Sequence, residues 1–434
     1  MSPAHIGILG ILLLLAVMFV LGMPVGVAMG VVGFVGFCYL VSVDAGLNMI
    51  GSVLWSTFSS YGLTVIPLFI FMGQIAFYSG INEKLYRSAY HWVGQIRGGI
   101  AMATVMACAA FSAICGSNAA TAATMSTVAL PQMKKYGYNP VFSTGTVACG
   151  STLGVVIPPS VVLIVIGLST EQSIAKLFYG GIGAGILLTA LLMLTVYLLC
   201  RLRRDWGPSG SQSTFAEKMR SLGGASEMVV LFLLVMLGLF FGFFTPAEAG
   251  AAGSFFAVLI TAGQGRLKWT GLIHSIRDTL RISCMVIMIV AGAMIFGRFL
   301  AVTRIPFDIA QWVVGLPVSK TMIMAIIFGI YILGGAVMDA LALLLLTIPI
   351  FFPVSAELGY DPIWFGVIIT VITTLGAVTP PVGATTFVVA GMAEGVTLEQ
   401  VFQGVSFFIP AYIVCLIILM VFPEIILFLP NLIR

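Results

Sequence analysis

The chain has 434 residues, of which 60% are hydrophobic and only 8% charged, and its mean hydropathy is +1.15. A soluble domain carries about a quarter of its residues as charge, so lipid rather than water must solvate most of this surface. The net charge of +4 is not gathered into the basic patch that nucleic acid requires, and seven cysteines and three isolated histidines provide neither a CxxC pair nor a metal-ligand spacing.

Apolar runs such as Leu187–Leu199, Met228–Phe244 and Tyr412–Phe422 recur along the chain. With small residues counted, many reach the roughly 20 residues that span a bilayer. Backbone polar groups must pair internally there, so the runs are helices; the weak alternation of a membrane β-barrel is absent. The first helix falls near 5–21. It has no Lys or Arg before Ile6 and no small-x-small cleavage site, so it reads as a transmembrane helix rather than a secretion signal. Helices near 24–42 and 64–80 follow, with an amphipathic segment near 46–60 between them. The stretch from Gly98 to Lys135 is interrupted at Cys115-Gly116-Ser117-Asn118. Two half-length helices over about 99–135, meeting at a tip and returning to one face, fit it better than one helix. Helices near 140–170 and 176–200 complete this half.

The second half repeats the first. Gly137-Tyr138-Asn139-Pro140 returns as Gly359-Tyr360-Asp361-Pro362, and Gly154-Val155-Val156-Ile157-Pro158-Pro159 returns as Gly376-Ala377-Val378-Thr379-Pro380-Pro381, both displaced by 222. Met23-Pro24 matches Thr245-Pro246 at the same displacement. The spacing predicts repeat one over 1–205, a polar linker over 206–225 and repeat two over 226–434. The second hairpin then falls at about 320–357 and the second broken helix at 361–395. The fold class is an all-α polytopic membrane protein of two inverted-topology repeats, each with a re-entrant hairpin and a Pro-Pro-broken helix. Five crossings per repeat, an odd number, make the second repeat start on the opposite side. All Lys and Arg except Lys176, Arg298, Arg304, Lys320 and Arg434 then fall on one face. The positive-inside rule makes that face cytoplasmic and the N-terminus periplasmic. Inverted repeats with broken helices near the midplane mark a secondary transporter.

Two tips and two double prolines carry the chemistry. Proline has no N–H and clashes with the carbonyl one turn earlier. The carbonyls expected to be freed are those of Gly154, Val156 and Ile157 before Pro158-Pro159-Ser160, and of Gly376, Val378 and Thr379 before Pro380-Pro381. Such oxygens suit Na⁺; a simple kink is the alternative. The first tip is rich in small residues, which permit close packing or leave room for a substrate, and a helix start near Asn118 favours an anion. The second tip carries Asp339 among apolar neighbours, either a functional intramembrane carboxylate or a helix cap. Arg298 is either an anion ligand or a snorkelling side chain near the outer interface. There is no GxxxxGK[ST] loop, GxSxG or HExxH, so neither ATP nor a catalytic nucleophile is implied and active transport would draw on an ion gradient.

At these motifs the sequence resembles the large membrane subunit of tripartite ATP-independent periplasmic (TRAP) transporters, over essentially its whole length. The resemblance rests on Pro24-Val25-Gly26, Ile66-Pro67-Leu68-Phe69, Gly116-Ser117-Asn118-Ala119-Ala120, Ile157-Pro158-Pro159-Ser160 and Thr379-Pro380-Pro381-Val382-Gly383. It implies an elevator-type transporter of the bacterial inner membrane that takes up a small organic anion with Na⁺ and uses no organic cofactor. A periplasmic substrate-binding protein delivers the anion, and a separate small four-helix membrane subunit enlarges the scaffold. It places Na⁺ ligands at Ser112, Cys115, Gly154, Ile157 and Pro158, and at Gly334, Gly376 and Thr379. It places the substrate near Ser117, Asn118, Ser160 and Asp339, with Arg298 as counter-charge. Asn118 departs from the family pattern, which often has a second Ser or another small residue there. A stand-alone Na⁺/organic anion symporter is the alternative; a channel would need rings of like charge, which the sequence lacks.

Overall fold

The computed structural model describes residues 3–210, 213–315 and 317–433. Arg434, one of the cations expected off the basic face, lies outside them. The described residues are helical, with no strand beyond one isolated bridge between Arg97 and Ser209. In chain order the first half comprises α1 (Pro3–Leu21), α2 (Val25–Leu40), α3 (Val43–Phe58), a short 3-10 turn, α4 (Val65–Tyr78), α5 (Ile81–Val93), α6 (Gly99–Cys115), α7 (Asn118–Lys135), α8 (Pro140–Ser151), α9 (Leu153–Val156), α10 (Val161–Thr170) and α11 (Ile174–Leu202). The second half comprises α12 (Phe215–Phe240), α13 (Pro246–Gly263), α14 (Trp269–Thr303), α15 (Ile305–Val314), α16 (Lys320–Gly335), α17 (Ala340–Glu357), α18 (Pro362–Gly376), α19 (Ala384–Met392), α20 (Leu398–Ser406), α21 (Ile409–Val421) and α22 (Glu424–Leu432). Among the described residues, seven helical spans are long and apolar enough to cross a membrane, or eight if the bent α20–α21 pair is one span.

The 222-residue displacement carries α2 onto α13, the α6–α7 hairpin onto α16–α17, and α8–α10 onto α18–α19. The repeated Gly-Tyr-Asn/Asp-Pro motif shows why. Gly137 and Gly359 take φ of 72° and 85°, ending the preceding helix where a side chain would be strained. Two residues on, Asn139 accepts from the Phe142 amide at 3.2 Å, and Asp361 accepts from those of Ile363 and Trp364 at 2.8 and 3.0 Å. Pro140 and Pro362 then fill a first helical position whose N–H is not needed. Each hairpin closes on itself. Tyr138 accepts from the Ile100 amide at 3.2 Å across the open end of the first, and Lys320 donates to the Leu358 carbonyl at 2.9 Å across that of the second.

Packing between the halves is reciprocal. α2 lies on α14 and its counterpart α13 on α4; α7 lies on α19 and its counterpart α17 on α10; α8 lies on α20, while α18 lies on α11. The exchange is what a two-fold relation between repeats produces. The basic loops also gather at one end. Gly98 donates to Gly207 at 3.0 Å, Asn139 to Trp206 at 3.1 Å, and the Arg203 guanidinium covers the Trp206 ring at 4.2 Å.

Several features depart from the sequence expectation. α5 was not anticipated, because Asn82, Glu83, Lys84 and Arg87 lower its hydropathy. Its Ile81, Leu85 and Ala89 nevertheless form one buried stripe. Where α3 and α4 are separated by the turn at Tyr61–Thr64, the second half has the unbroken 35-residue α14. Conversely, the continuous α11 answers to the pair α20 and α21, split at Phe407–Phe408.

Candidate functional site

The double prolines end their helices and force the chain into an irregular segment, and both Pro-Pro bonds are cis. In the first break, Pro158 and Pro159 offer no amide to the carbonyls of Gly154 and Val155 four residues earlier. The Ser160 hydroxyl donates to the Val155 carbonyl at 2.6 Å and accepts from the Leu163 amide at 3.3 Å, starting α10. Gly181 and Gly185 of α11 close over this segment. A Cβ at Gly181 would stand 2.7 Å from the Val156 carbonyl oxygen, and one at Gly185 2.5 Å from the Ile157 side chain. Sequence reasoning missed both, although their four-residue spacing is a small-residue packing signal.

Tip one docks on this break. Gly116 takes a φ of 62° as the chain turns, and the Ser117 hydroxyl accepts from the Ala120 amide at 3.4 Å to start α7. A Cβ at Gly154 would lie 2.6 Å from the Ser117 carbonyl oxygen, and one at Gly116 2.7 Å from that of Pro159. Only glycine allows this approach. The structure thereby brings Ser117 and Asn118 against Gly154, and Gly116 against Pro159 and Ser160, with Ser112 one helical turn behind and Ile157 under α11. On the far side, a Cβ at Gly73 of α4 would meet the Cys115 Cα at 3.0 Å. Gly73 is a further residue that sequence reasoning did not assign to the site.

Hairpin one holds an unusual set of polar atoms. Among the described residues, seven buried side-chain polar atoms have no hydrogen-bond partner, and four belong to this hairpin: Ser112 Oγ, Asn118 Oδ1, Thr124 Oγ1 and Ser126 Oγ. Leaving such an atom unpaired costs about 1–3 kcal/mol, so their concentration marks where a ligand would restore the missing interactions. Hydroxyl, amide and carbonyl oxygens are hard donors that fit a small hydrated cation or the hydrogen-bonding groups of an organic anion. Cys115 would contribute through its carbonyl, because a thiol is a soft donor.

The second tip repeats the architecture with different chemistry. A Cβ at Gly376, the counterpart of Gly154, would lie 2.5 Å from the Gly335 Cα, next to Gly334. The Ala336 carbonyl accepts from the Val382 and Gly383 amides at 2.9 and 3.3 Å, fastening this tip to its break. Two carbonyls expected to be free have partners here. That of Gly376 accepts from the Thr379 amide at 3.0 Å, and that of Val378 from the Thr386 hydroxyl at 3.1 Å, while the Thr379 hydroxyl donates to the Leu375 carbonyl at 2.6 Å. The chain turns back on itself and supplies donors that the prolines withhold. A carbonyl retains a second lone pair, so these oxygens keep some capacity to coordinate. Asp339 caps α17, accepting from the Leu341 amide at 3.0 Å, and its side chain is exposed.

Arg298 stands apart. It is exposed on α14 and lines a cavity of about 430 Å³ with Glu171, Ile348 and Phe352, a cavity that includes no tip residue.

Comparison with known proteins gives a concordant result. Residues 12–425 match the family model described as "Tripartite ATP-independent periplasmic transporter, DctM component". The C4-dicarboxylate TRAP transporter large permease protein DctM of Pseudomonas aeruginosa is 34% identical over 382 residues, covering 87% of this chain and 88% of that protein. The isethionate TRAP transporter permease protein DctMQ of Oleidesulfovibrio alaskensis is 31% identical over 95% of this chain, which spans 65% of that longer protein. The sialic acid TRAP transporter large permease protein SiaM of Vibrio cholerae is 29% identical over 95% of each chain. Among solved structures, the YdaH transporter of Alcanivorax borkumensis shares the fold with a TM-score of 0.63 over 89% of this chain and 91% of its own, at 16% identity.

Proposed function

The chain belongs to the DctM component family of tripartite ATP-independent periplasmic transporters, and on that premise we propose that it carries a small organic anion, carboxylate or sulfonate, inward across the bacterial inner membrane together with Na⁺. Membership makes it the multi-pass permease of a secondary transport system for organic acids. In the proposed cycle a periplasmic binding protein delivers the anion, and a small four-helix subunit joins the scaffold. The two hairpins and two broken helices move as one body against α2, α4, α13 and α14. The N-terminus is periplasmic, a reading supported by the basic loops that gather at the end where Trp206 and Gly207 meet Gly98 and Asn139.

The observation that carries the proposal is the docking of each hairpin tip on its own Pro-Pro break at backbone distance, at Gly154 and at Gly376. A unit closed by backbone contact moves without opening its site. The orphaned Ser112 and Asn118 oxygens put coordinating groups at that closure. Na⁺ is the co-substrate there, with Ser112, Cys115, Gly154, Ile157 and Pro158 around one position and Gly334, Gly376 and Thr379 around the other. The anion lies by Ser117, Asn118, Ser160 and Asp339.

The test is uptake of labelled succinate, isethionate and sialic acid by proteoliposomes holding the chain and its small subunit. Uptake should require both an inward Na⁺ gradient and added binding protein. Ser112→Ala should raise the half-saturating Na⁺ concentration roughly tenfold, the equivalent of about 1.4 kcal/mol for one ligand to a charged group, without loss of assembled protein. Equal uptake on a proton gradient without Na⁺ would remove Na⁺ coupling. Saturable uptake indifferent to the binding protein would make the chain a stand-alone symporter.

A further inference from the structure

Two cavities lie at positions related by the internal repeat, and their linings differ. One, of about 430 Å³, is bounded by Ile348, Pro349 and Phe352 of α17 and by Thr170 and Glu171 at the end of α10. The other, of about 550 Å³, is bounded by Ser126, Thr127 and Leu130 of α7 and by Met392 and Ala393 at the end of α19. Adding 222 to 126, 127 and 130 gives 348, 349 and 352, so the fold itself accounts for both hollows. It does not account for what lines them. Where α17 presents Ile348 and Pro349, α7 presents two hydroxyls. Where α14 closes the first cavity, the second is bounded by the opening turn of α8 and by Lys134 and Lys135.

The charges of the larger cavity do not cancel. Glu394 is the one carboxylate among its lining residues, and it lies 3.6 Å from Lys134 with both side chains largely exposed. Such a pair contributes little and leaves a net positive charge with Lys135. The start of the twelve-residue α8 adds the positive end of a helix dipole. Ser126, 2% exposed, lines the same cavity with its Oγ unpartnered. The unbroken α7 connects this place to tip one: Asn118 and Ser126 are eight residues, about 12 Å, apart along it. Asn118, Thr124 and Ser126 all carry orphaned polar atoms on the way.

We propose that the larger cavity is an anion-selective exit vestibule, a second and weaker site that receives the organic anion after it leaves tip one. The inference rests on the transport function proposed above. Lys134, Lys135 and the positive end of the α8 dipole attract the anionic group, the unpartnered Ser126 hydroxyl donates to it, and the exposed Lys134–Glu394 pair at the rim exchanges readily with it. The vestibule lies on the cytoplasmic side, so it draws substrate out of the tip rather than into it.

The test reads the vestibule without relying on transport. Thr127 is exposed, and Thr127→Cys places a thiol on the wall. Cys284 and Cys38, the thiols that are not buried, are first changed to serine. The complex in proteoliposomes is labelled at low ionic strength with a sulfonate-bearing and a trimethylammonium-bearing methanethiosulfonate, and rates are normalised to a free thiol. The anionic reagent should react faster. The ratio should fall roughly fourfold with Lys135→Gln, from a unit charge about 10 Å away acting oppositely on the two reagents, and recover with Lys135→Arg. Leu130→Cys is the second reporter should Thr127→Cys assemble poorly. A cationic preference, or a ratio indifferent to Lys135→Gln, overturns the vestibule. If the ratio behaves as expected while no anion is transported, the transport reading falls and the anion site stands; transport without the ratio has the converse meaning.

Discussion

Gly154→Ala isolates the contact between tip one and its break. The added methyl would stand 2.6 Å from the Ser117 carbonyl oxygen, 2.7 Å from the Ser117 carbonyl carbon and 3.0 Å from the Asn118 amide nitrogen. These are backbone atoms at the start of α7, not the far end of a flexible side chain. The tip would have to retreat by about 0.8 Å to reach an ordinary contact of 3.4 Å. Overpacking of this kind costs about 1–3 kcal/mol, or roughly 5- to 150-fold in the occupancy of the docked tip. If docking builds the ion and substrate sites, the half-saturating Na⁺ concentration should rise at least fivefold and uptake should fall with it. Gly51→Ala serves as the control, because Gly51 lies in α3 with nothing within 4 Å of its added Cβ. The assay is Na⁺-dependent uptake in proteoliposomes, normalised to protein recovered as a monodisperse complex. A Gly154→Ala protein with wild-type Na⁺ dependence would refute the reasoning, because the site would then not depend on the tip's position.

Three further perturbations sort roles that share a residue. Asp339→Asn keeps a good N-cap for α17, so it should assemble normally; if the carboxylate also serves the substrate site, uptake should fall at least tenfold, and wild-type uptake would leave Asp339 as a cap alone. Arg298→Lys keeps the charge but loses the fork, and it should retain uptake within about threefold because the cavity Arg298 lines contains no tip residue. A severe loss would instead place the guanidinium on the substrate. For topology, cysteines at the exposed positions Arg204 and Glu357 should label from opposite sides of the membrane, Arg204 from the cytoplasm; labelling from one side would end the inverted-repeat orientation.

What the sequence determined by itself were the features governed by a few neighbouring residues. Sparse charge and long apolar runs required a lipid-solvated helical protein. The prolines at 158–159 and 380–381 had to interrupt their helices, and the motif ending in Pro140 or Pro362 had to stop one helix and cap the next. The interruption at Cys115–Asn118 was therefore legible as a tip between α6 and α7. Recurrence at 222 residues supported the readings of the double prolines and of the motif ending in Pro140 or Pro362. The same local logic missed α5, whose charges mask a buried stripe, and could not foresee that α14 would run unbroken where α3 and α4 are separated.

Only the tertiary structure decided which surfaces meet. That Gly154 touches Ser117, that α7 rests on α19 and α17 on α10, and that Arg298 lines a cavity with no tip residue depend on residues far apart in the chain. No local propensity encodes such distances. The two breaks make the limit plain. Both read alike as Pro-Pro, yet in one the Thr379 amide and the Thr386 hydroxyl reach the carbonyls of Gly376 and Val378, while in the other the Ser160 hydroxyl reaches that of Val155. Proline determines which backbone donor is lost; the surrounding fold determines which group, if any, replaces it.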